Sequence, residues 1–206
     1  MELGLVNNNQ KKEDTPTIDV VSVTEEQLKT DPTLTNLNPQ KRLPFFYDPE
    51  LELRLNESGG LVQYLLETYD TNHTLHPPVG DPTRAEFLKL VHFGPATAYH
   101  VAVPIFFHSF PPKGVPPTTE KELQTKKEEW HNVVAPTYEQ ALDRFGGPYL
   151  LGTKFTAADV VCGYDLMTIS YTKVADELLD ETKHPKLKTY LQNLQNRDVY
   201  KELYSM

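Results

Sequence analysis

The chain has 206 residues, an ordinary apolar share of 38%, a net charge of −9 and one cysteine. That length and composition fit a soluble chain with a real core, arranged as one large or two small domains. The acidic balance argues against nucleic acid or an anionic membrane surface as the main partner, because phosphate binding needs clustered Lys and Arg. With Cys162 alone no intrachain disulfide can form, which agrees with a reducing compartment.

No run reaches the expected length of a membrane span. The opening "MELGLVNNNQKKED" turns polar early, without the basic start and apolar stretch of a signal peptide. The expectation is a cytosolic chain with no membrane partner and no nucleic acid. Residues 1–17 read as a flexible arm. "TIDVVSV", Thr17 to Val23, is β-branched and reads as a strand. "TEEQLKTDPTLTNLNP" predicts a short helix starting near Thr24 and Glu26, then a loop. "LPFFYD" and "ELELRLN" flank Asp48-Pro49 and predict an antiparallel hairpin. A helix from Gly59 to about Tyr69 places Leu61, Leu65 and Leu66 on one face, with Val62 and Tyr69 adjoining, suited to packing on a sheet.

"DTNHTLHPPVGDPTR", Asp70 to Arg84, is rich in turn residues and marks a linker. Beyond it the pattern is helix and loop. Arg84 to Phe110 is a long apolar-periodic helix interrupted by Pro95 and Pro104. Ser109 to Thr119 is a break, Glu120 to Phe145 a helix containing Pro136, and Phe145 to Lys154 a loop. Further helices start at Thr156 and about Pro185, and a short one ends near Tyr204. The domains expected are an α+β domain over 18–76 and an all-helical domain over 84–206.

Thr156 and Asp159 have capping-box spacing and form a structural cap, with Phe155 placed to staple onto Val160. Cys162, in an apolar helical run without basic neighbours, reads as a buried structural thiol. His92, His100 and His108 recur every eight residues, about 12 Å apart per step on a helix, so they cannot share an ion. His73 and His76 read as surface residues of the linker, and no metal site is expected. Glycine-rich phosphate loops, nucleophile elbows and His-Glu-x-x-His helices are absent from the sequence. Trp130, with Leu123 before it and Val134 after, fits core packing.

Taken together, "NPQKRLPFFYDPELELRLNESGGLVQYLLETYD", "GGPYLLGTKFTAADVVCGYDL" and "HPKLKTYLQNLQNRDVYKEL" resemble the cytosolic glutathione S-transferases from about Ile18 to Met206. The resemblance implies a thioredoxin-like α+β N-terminal domain followed by the all-α C-terminal domain of that family. It makes Pro44 a cis-proline and Leu43 the residue whose backbone pairs with the cysteinyl part of glutathione. Arg42 stands where the family usually has Lys, near the glycyl carboxylate. Glu57 and Ser58 fall on the pair that holds the γ-glutamyl end. The chemistry suits that role: Ser58 at an N-cap and the free N–H groups of Gly59 and Gly60 favour an α-carboxylate, and Glu57 can pair with the ammonium. A capped helix with no ligand is the plainer reading of the same residues.

The resemblance also implies what this sequence lacks. The family begins with a strand and a helix, and the Tyr, Ser or Cys that activates the glutathione thiol follows that strand. Here "MELGL" resembles only the tail of that helix, as though the chain began inside it. The missing strand lies mid-sheet in the family, so unpaired backbone edges, a poorly ordered start and a less stable first domain are expected. Substitute activators would be Tyr99, His100 or His92, on the helix that faces the acceptor site in the family. Phe93, Ala96, Tyr99 and His100 are the candidate lining for a small apolar electrophile. The functional expectation is a homodimeric glutathione transferase, with glutathione as substrate or ligand and no metal. The alternative is a non-catalytic glutathione- or partner-binding scaffold of the same fold.

Overall fold

The computed structural model describes residues 18–204, so the arm expected over 1–17 lies outside the described residues. The chain divides into two units between Asn72 and His73. The first carries α1 (Glu25–Thr30), α2 (Pro32–Leu37), β1 (Phe46–Asp48), β2 (Leu53–Leu55) and α3 (Ser58–Tyr69). Thr24 caps α1 through a capping box with Gln27. Where a loop was expected after α1, the chain forms α2. Asp31 accepts from the N–H groups of Thr33 and Leu34, and Pro32 stands in the first turn, a helix start rather than a turn.

β1 and β2 pair antiparallel, with Phe46 opposite Leu55 and Asp48 opposite Leu53. Asp48 shapes the connection by accepting from the N–H groups of Glu50 and Leu51 at 2.9 and 3.2 Å. The Phe46 ring meets Tyr64 of α3 at 6.1 Å, so the hairpin packs on the helix. The strand expected over Ile18–Val23 does not form over Asp19–Val23. Val20 and Val21 are 56% and 75% exposed, and β propensity without a packed face does not make a strand.

The second unit is helical. α4 (Arg84–Phe93), a π turn (Gly94–Ala98) and α5 (Tyr99–Ser109) form one continuous rod. α6 (Glu120–Glu129), a second π turn (Trp130–Val134) and α7 (Ala135–Phe145) form another, followed by α8 (Ala157–Ser170), α9 (Ala175–Leu178), α10 (Leu187–Gln195) and α11 (Asp198–Tyr204). Both π turns involve a proline that clashes with an ordinary α turn. Pro95 lies inside the first and Pro136 just after the second, where the Tyr99 and Ala135 N–H groups reach back five residues to the Gly94 and Trp130 carbonyls.

The rod Arg84–Ser109 is 26 residues long and, by length and composition, apolar enough to cross a membrane, contrary to the sequence reading, where its prolines hid its continuity. Its apolar side chains Phe87, Leu90, Val91, Val101 and Ile105 are buried within the protein.

α8 runs through the centre of this unit and is buried on several sides. The Cys162 thiol donates to the Leu90 carbonyl at 3.3 Å, and Gly163 lies so close to Leu194 that a Cβ there would meet its Cδ1 at 2.7 Å. The Trp130 indole N–H donates to the Leu178 carbonyl at 2.9 Å. Glu139 of α7 accepts from the Lys186 and Leu187 N–H groups at 2.8 and 3.0 Å, capping α10 from another helix. His76, expected at the surface, is buried beside Phe87 and lies 3.1 Å from the His73 ring. The linker pattern signals turns and says nothing about which of its side chains fold inward.

Candidate functional site

In the first unit, the N-terminus of α3 differs in one detail from the expectation. Glu57, not Ser58, is the N-cap, and Ser58 is the first helical residue. Glu57 sits at φ 69°, ψ 105°, a region that a non-glycine residue occupies at a strain of roughly 1–3 kcal/mol. Its side chain is exposed and makes no capping hydrogen bond. The first bond of the helix runs from the Leu61 N–H to the Glu57 carbonyl at 2.9 Å, which leaves the Ser58, Gly59 and Gly60 amides without a helical acceptor. A Cβ at Gly60 would meet no atom within 4 Å.

Two amides missed by the sequence reading hold this turn. Asn38, 1% exposed, donates from Nδ2 to the Arg42 carbonyl at 2.8 Å. Asn56 Nδ2 lies 3.3 Å from both Asn38 Oδ1 and the same Arg42 carbonyl. The loop Arg42-Leu43-Pro44 is thereby tied to the residue preceding Glu57. Leu43 is 57% exposed, Arg42 and Pro44 are also exposed, and the Leu43–Pro44 peptide bond is cis. The hydrogen bonds to the Arg42 carbonyl thus bring the loop that carries Leu43 and Pro44 up to Asn56, the residue before Glu57 and Ser58. An Asn directly before Glu57 was the available signal for half of this junction. Asn38, 18 residues earlier, had none.

Such a junction suits a zwitterionic ligand. Three unpaired amides and a hydroxyl at a helix N-terminus attract a carboxylate, and an exposed Glu carboxylate beside them attracts an ammonium. Arg42, exposed in the adjoining loop, carries a guanidinium of the kind that pairs with a second anion.

In the second unit, the four residues expected to line an acceptor site fall into two groups. Phe93 is half-buried and meets the Tyr138 ring edge-on at 5.9 Å. Ala96, Tyr99 and His100 are exposed. Tyr99 stacks on Tyr164 of α8 with centroids 6.4 Å apart and planes at 23°, and touches His100 edge-on at 5.9 Å. Tyr164, half exposed, joins this aromatic ledge although the sequence reading passed over it. Its signal was an aromatic off the buried stripe of α8. His92 is exposed as well. A groove of about 570 Å³ lies elsewhere in this unit, between α8, α9 and α10, lined among others by Asp176, Leu179, Asp180 and Lys188.

Thr156 and Asp159 form a reciprocal cap that reaches beyond α8. The Asp159 carboxylate accepts from the Thr156 N–H (2.8 Å), the Thr156 hydroxyl (3.0 Å), the Leu150 N–H (2.8 Å) and the Tyr190 hydroxyl (3.0 Å). Burial raises its pKa while these donors pull it back. The Arg197 guanidinium lies over the Phe155 ring, 3.5 Å from the ring centroid, in a cation–π contact, and Val160 is 44% exposed. Burial pushes the Cys162 thiol well up, which suits a structural role. Asp165 is also buried, its carboxyl raised by burial to about 8 despite a donor in the Tyr138 hydroxyl at 3.4 Å.

The family model described as the glutathione S-transferase C-terminal domain matches residues 96–198. The chain is 30% identical over 179 residues to the glutathione S-transferase-like protein gedE of Aspergillus terreus, covering 85% of this chain and 78% of that one. This chain belongs to the glutathione S-transferase family. Solved structures of that family share its fold. A glutathione transferase homolog from Lodderomyces elongisporus, solved with two glutathione molecules per subunit, superposes with a TM-score of 0.67 at 21% identity, over 91% of this chain and 85% of that one. The glutathione transferase URE2P6 of Phanerochaete chrysosporium, solved with oxidized glutathione, gives a TM-score of 0.73 at 17% identity, over 92% and 83% of the two chains. A thioredoxin-like N-terminal domain and an all-α C-terminal domain are therefore the architecture of this family member, with two strands of its sheet among the described residues.

Proposed function

We propose that this transferase-family chain binds glutathione at the α3 junction and conjugates its thiolate to a small apolar electrophile. The observation that carries the reading is Glu57, held at a strained positive φ beside unpaired amides and tied through Asn56 to the Arg42–Pro44 loop. Strain kept at an exposed carboxylate serves no packing purpose and suits a binding role. In this reading the amides and Ser58 take the γ-glutamyl carboxylate and Glu57 its ammonium. The Leu43 backbone pairs with the cysteinyl unit, and Arg42 draws the glycyl carboxylate. The aromatic ledge of Ala96, Tyr99 and His100, with Phe93 behind it, offers an apolar surface for the electrophile, and the family resemblance extends the reading to a homodimer.

Titration calorimetry with glutathione tests the binding step. Glu57→Ala combined with Ser58→Ala should weaken binding roughly 10- to 100-fold, the loss expected when one or two charge-assisted hydrogen bonds disappear. Conjugation of an activated aryl chloride, with chloride released as the thiolate carbon–sulfur bond forms, should fall with it. Unchanged affinity in the double variant would remove the site assignment. A non-catalytic glutathione-binding scaffold is the second reading. It is favoured by the burial of Cys162, which withdraws the only thiol of the chain from chemistry, and it requires wild-type binding without turnover.

A further inference from the structure

His131 stands in the second π turn, and His184 in the segment that enters α10. Their rings lie side by side and nearly coplanar, with centroids 5.1 Å apart and planes at 16°, and His131 Nδ1 lies 2.8 Å from His184 Nε2. His184 is buried, and His131 Nε2 is buried with no hydrogen-bond partner. A hydrogen bond between two ring nitrogens needs one of them bare, so the pair is satisfied when both imidazoles are neutral. Once both rings are protonated, two N–H groups on neighbouring cations face each other across that gap, and the bond is lost.

Charged groups face the pair from each neighbouring element. α6 contributes Lys127, which is paired with Glu177 of α9. The segment before α10 contributes Asp180 and Lys183, and α7 contributes Glu139, the cap of α10. Burial is the main cause that pulls both imidazoles below the ordinary histidine range. Lys183 adds to it at both rings, while Glu177 opposes it at His131 and Glu139 and Asp180 oppose it at His184.

We propose that His131 and His184 form a proton-operated latch, which holds the second π turn against the segment entering α10 at neutral pH and releases it on acidification. The junction also carries the Trp130–Leu178 bond and the Glu139 cap. Opening it loosens α10, whose Tyr190 donates to Asp159. The unfolded chain takes up these protons near pH 6.5, before the folded pair does. The latch therefore contributes its stability in full above that value and loses it as pH falls through the lower folded range.

Trp130 is the only tryptophan in the chain and adjoins His131, so its emission reports the junction. In the full chain, titration from pH 8 to 5 should red-shift that emission below pH 6.5 and lower Tm, relative to the two variants below, by roughly 3–5 °C for each tenfold weakening of proton binding in the folded state. His184→Gln keeps a hydrogen-bonding group without the titration, and His131→Phe keeps a ring of similar shape without it. Both variants should lose the acid-dependent shift. The contribution of Asp165 is common to all three proteins and cancels in the comparison. A shift that both variants share in full would overturn the latch. If the variants do not fold, ring-proton NMR of the wild type decides: coupled titrations below 6.5 support the latch, and two independent titrations at the ordinary value overturn it.

Discussion

In the first unit, Leu28 and Leu66 are the only buried large apolar side chains among the described residues, and each keeps some exposure. The second unit encloses Trp130, Tyr138, Tyr190, Leu90, Ile105 and Leu166 with almost no exposure. The two units therefore hold their key residues by different means. Asp159 is held by four hydrogen bonds sealed inside a packed core. Glu57 is fixed by a few hydrogen bonds between loops, where side chains must stay accessible to a ligand. Fewer buried contacts mean lower local stability, the usual condition of a binding segment.

The largest effect that could sharpen this contrast is at Asp159. Asp159→Ala strands buried donors from Thr156, Leu150 and Tyr190, and should destabilise the helical unit by about 4 kcal/mol. Urea denaturation followed through Trp130 measures it, and a loss under about 1 kcal/mol would mean that packing alone holds α8. In the first unit, Leu66→Ala should cost about 2.5 kcal/mol, near the low end for a leucine because few neighbours surround it. Hydrogen exchange should show faster exchange confined to residues 18–72, while protection in the second unit is unchanged. Loss of protection throughout would break the division into two stabilities.

Asp165→Asn tests the other side of burial. The native carboxyl holds its proton up to about pH 8, whereas the unfolded chain releases it near the ordinary value of 3.8. Between those limits the folded state binds more protons, so this group makes stability fall as pH rises. The variant should raise stability at pH 7 by an amount on the order of 2 kcal/mol, and flatten the decline in Tm from pH 5 to 8. An unchanged pH slope would mean that Asp165 is ionised in the folded state. The smallest effect is at the strained cap. Glu57→Gly should stabilise the first unit by about 1 kcal/mol, because relief of the positive φ outweighs the added freedom of the unfolded chain. The same change should weaken glutathione binding in calorimetry. Gain of stability without loss of affinity would separate the strain from the proposed site.

What the sequence made legible was local. Thr156 announced a helix start because its partner Asp159 lies three residues on, Thr24 and Glu26 marked another, and the hairpin was readable from two apolar runs around Asp48-Pro49. The family motifs led to Pro44, Glu57 and Ser58. The Asn38–Asn56–Arg42 junction was not legible, because no short-range pattern links positions so far apart. Neither was the Tyr99–Tyr164 stack, which depends on how two helices cross. The shift of the N-cap from Ser58 to Glu57 came from a backbone angle that residue preferences disfavour. β-branching over Ile18–Val23 misled because propensity acts only where a sheet face is available.

The π turn at Gly94–Ala98 changes how this rod tolerates insertion and deletion. One residue beyond the α repeat advances everything after it by about 100° around the helix axis. Phe93 before the turn meets Tyr138, and Tyr99 after it meets Tyr164, two contacts set by that extra step. Gly94, whose Cβ would stand 3.3 Å from the Val161 backbone, keeps the widened turn close against α8. Deleting Pro95 would leave an unbroken and even more regular helix, yet it would swing the ledge face of α5 away from Tyr164. The helix would survive with its phase wrong, so the length of this turn constrains the surface as firmly as the identity of Tyr99.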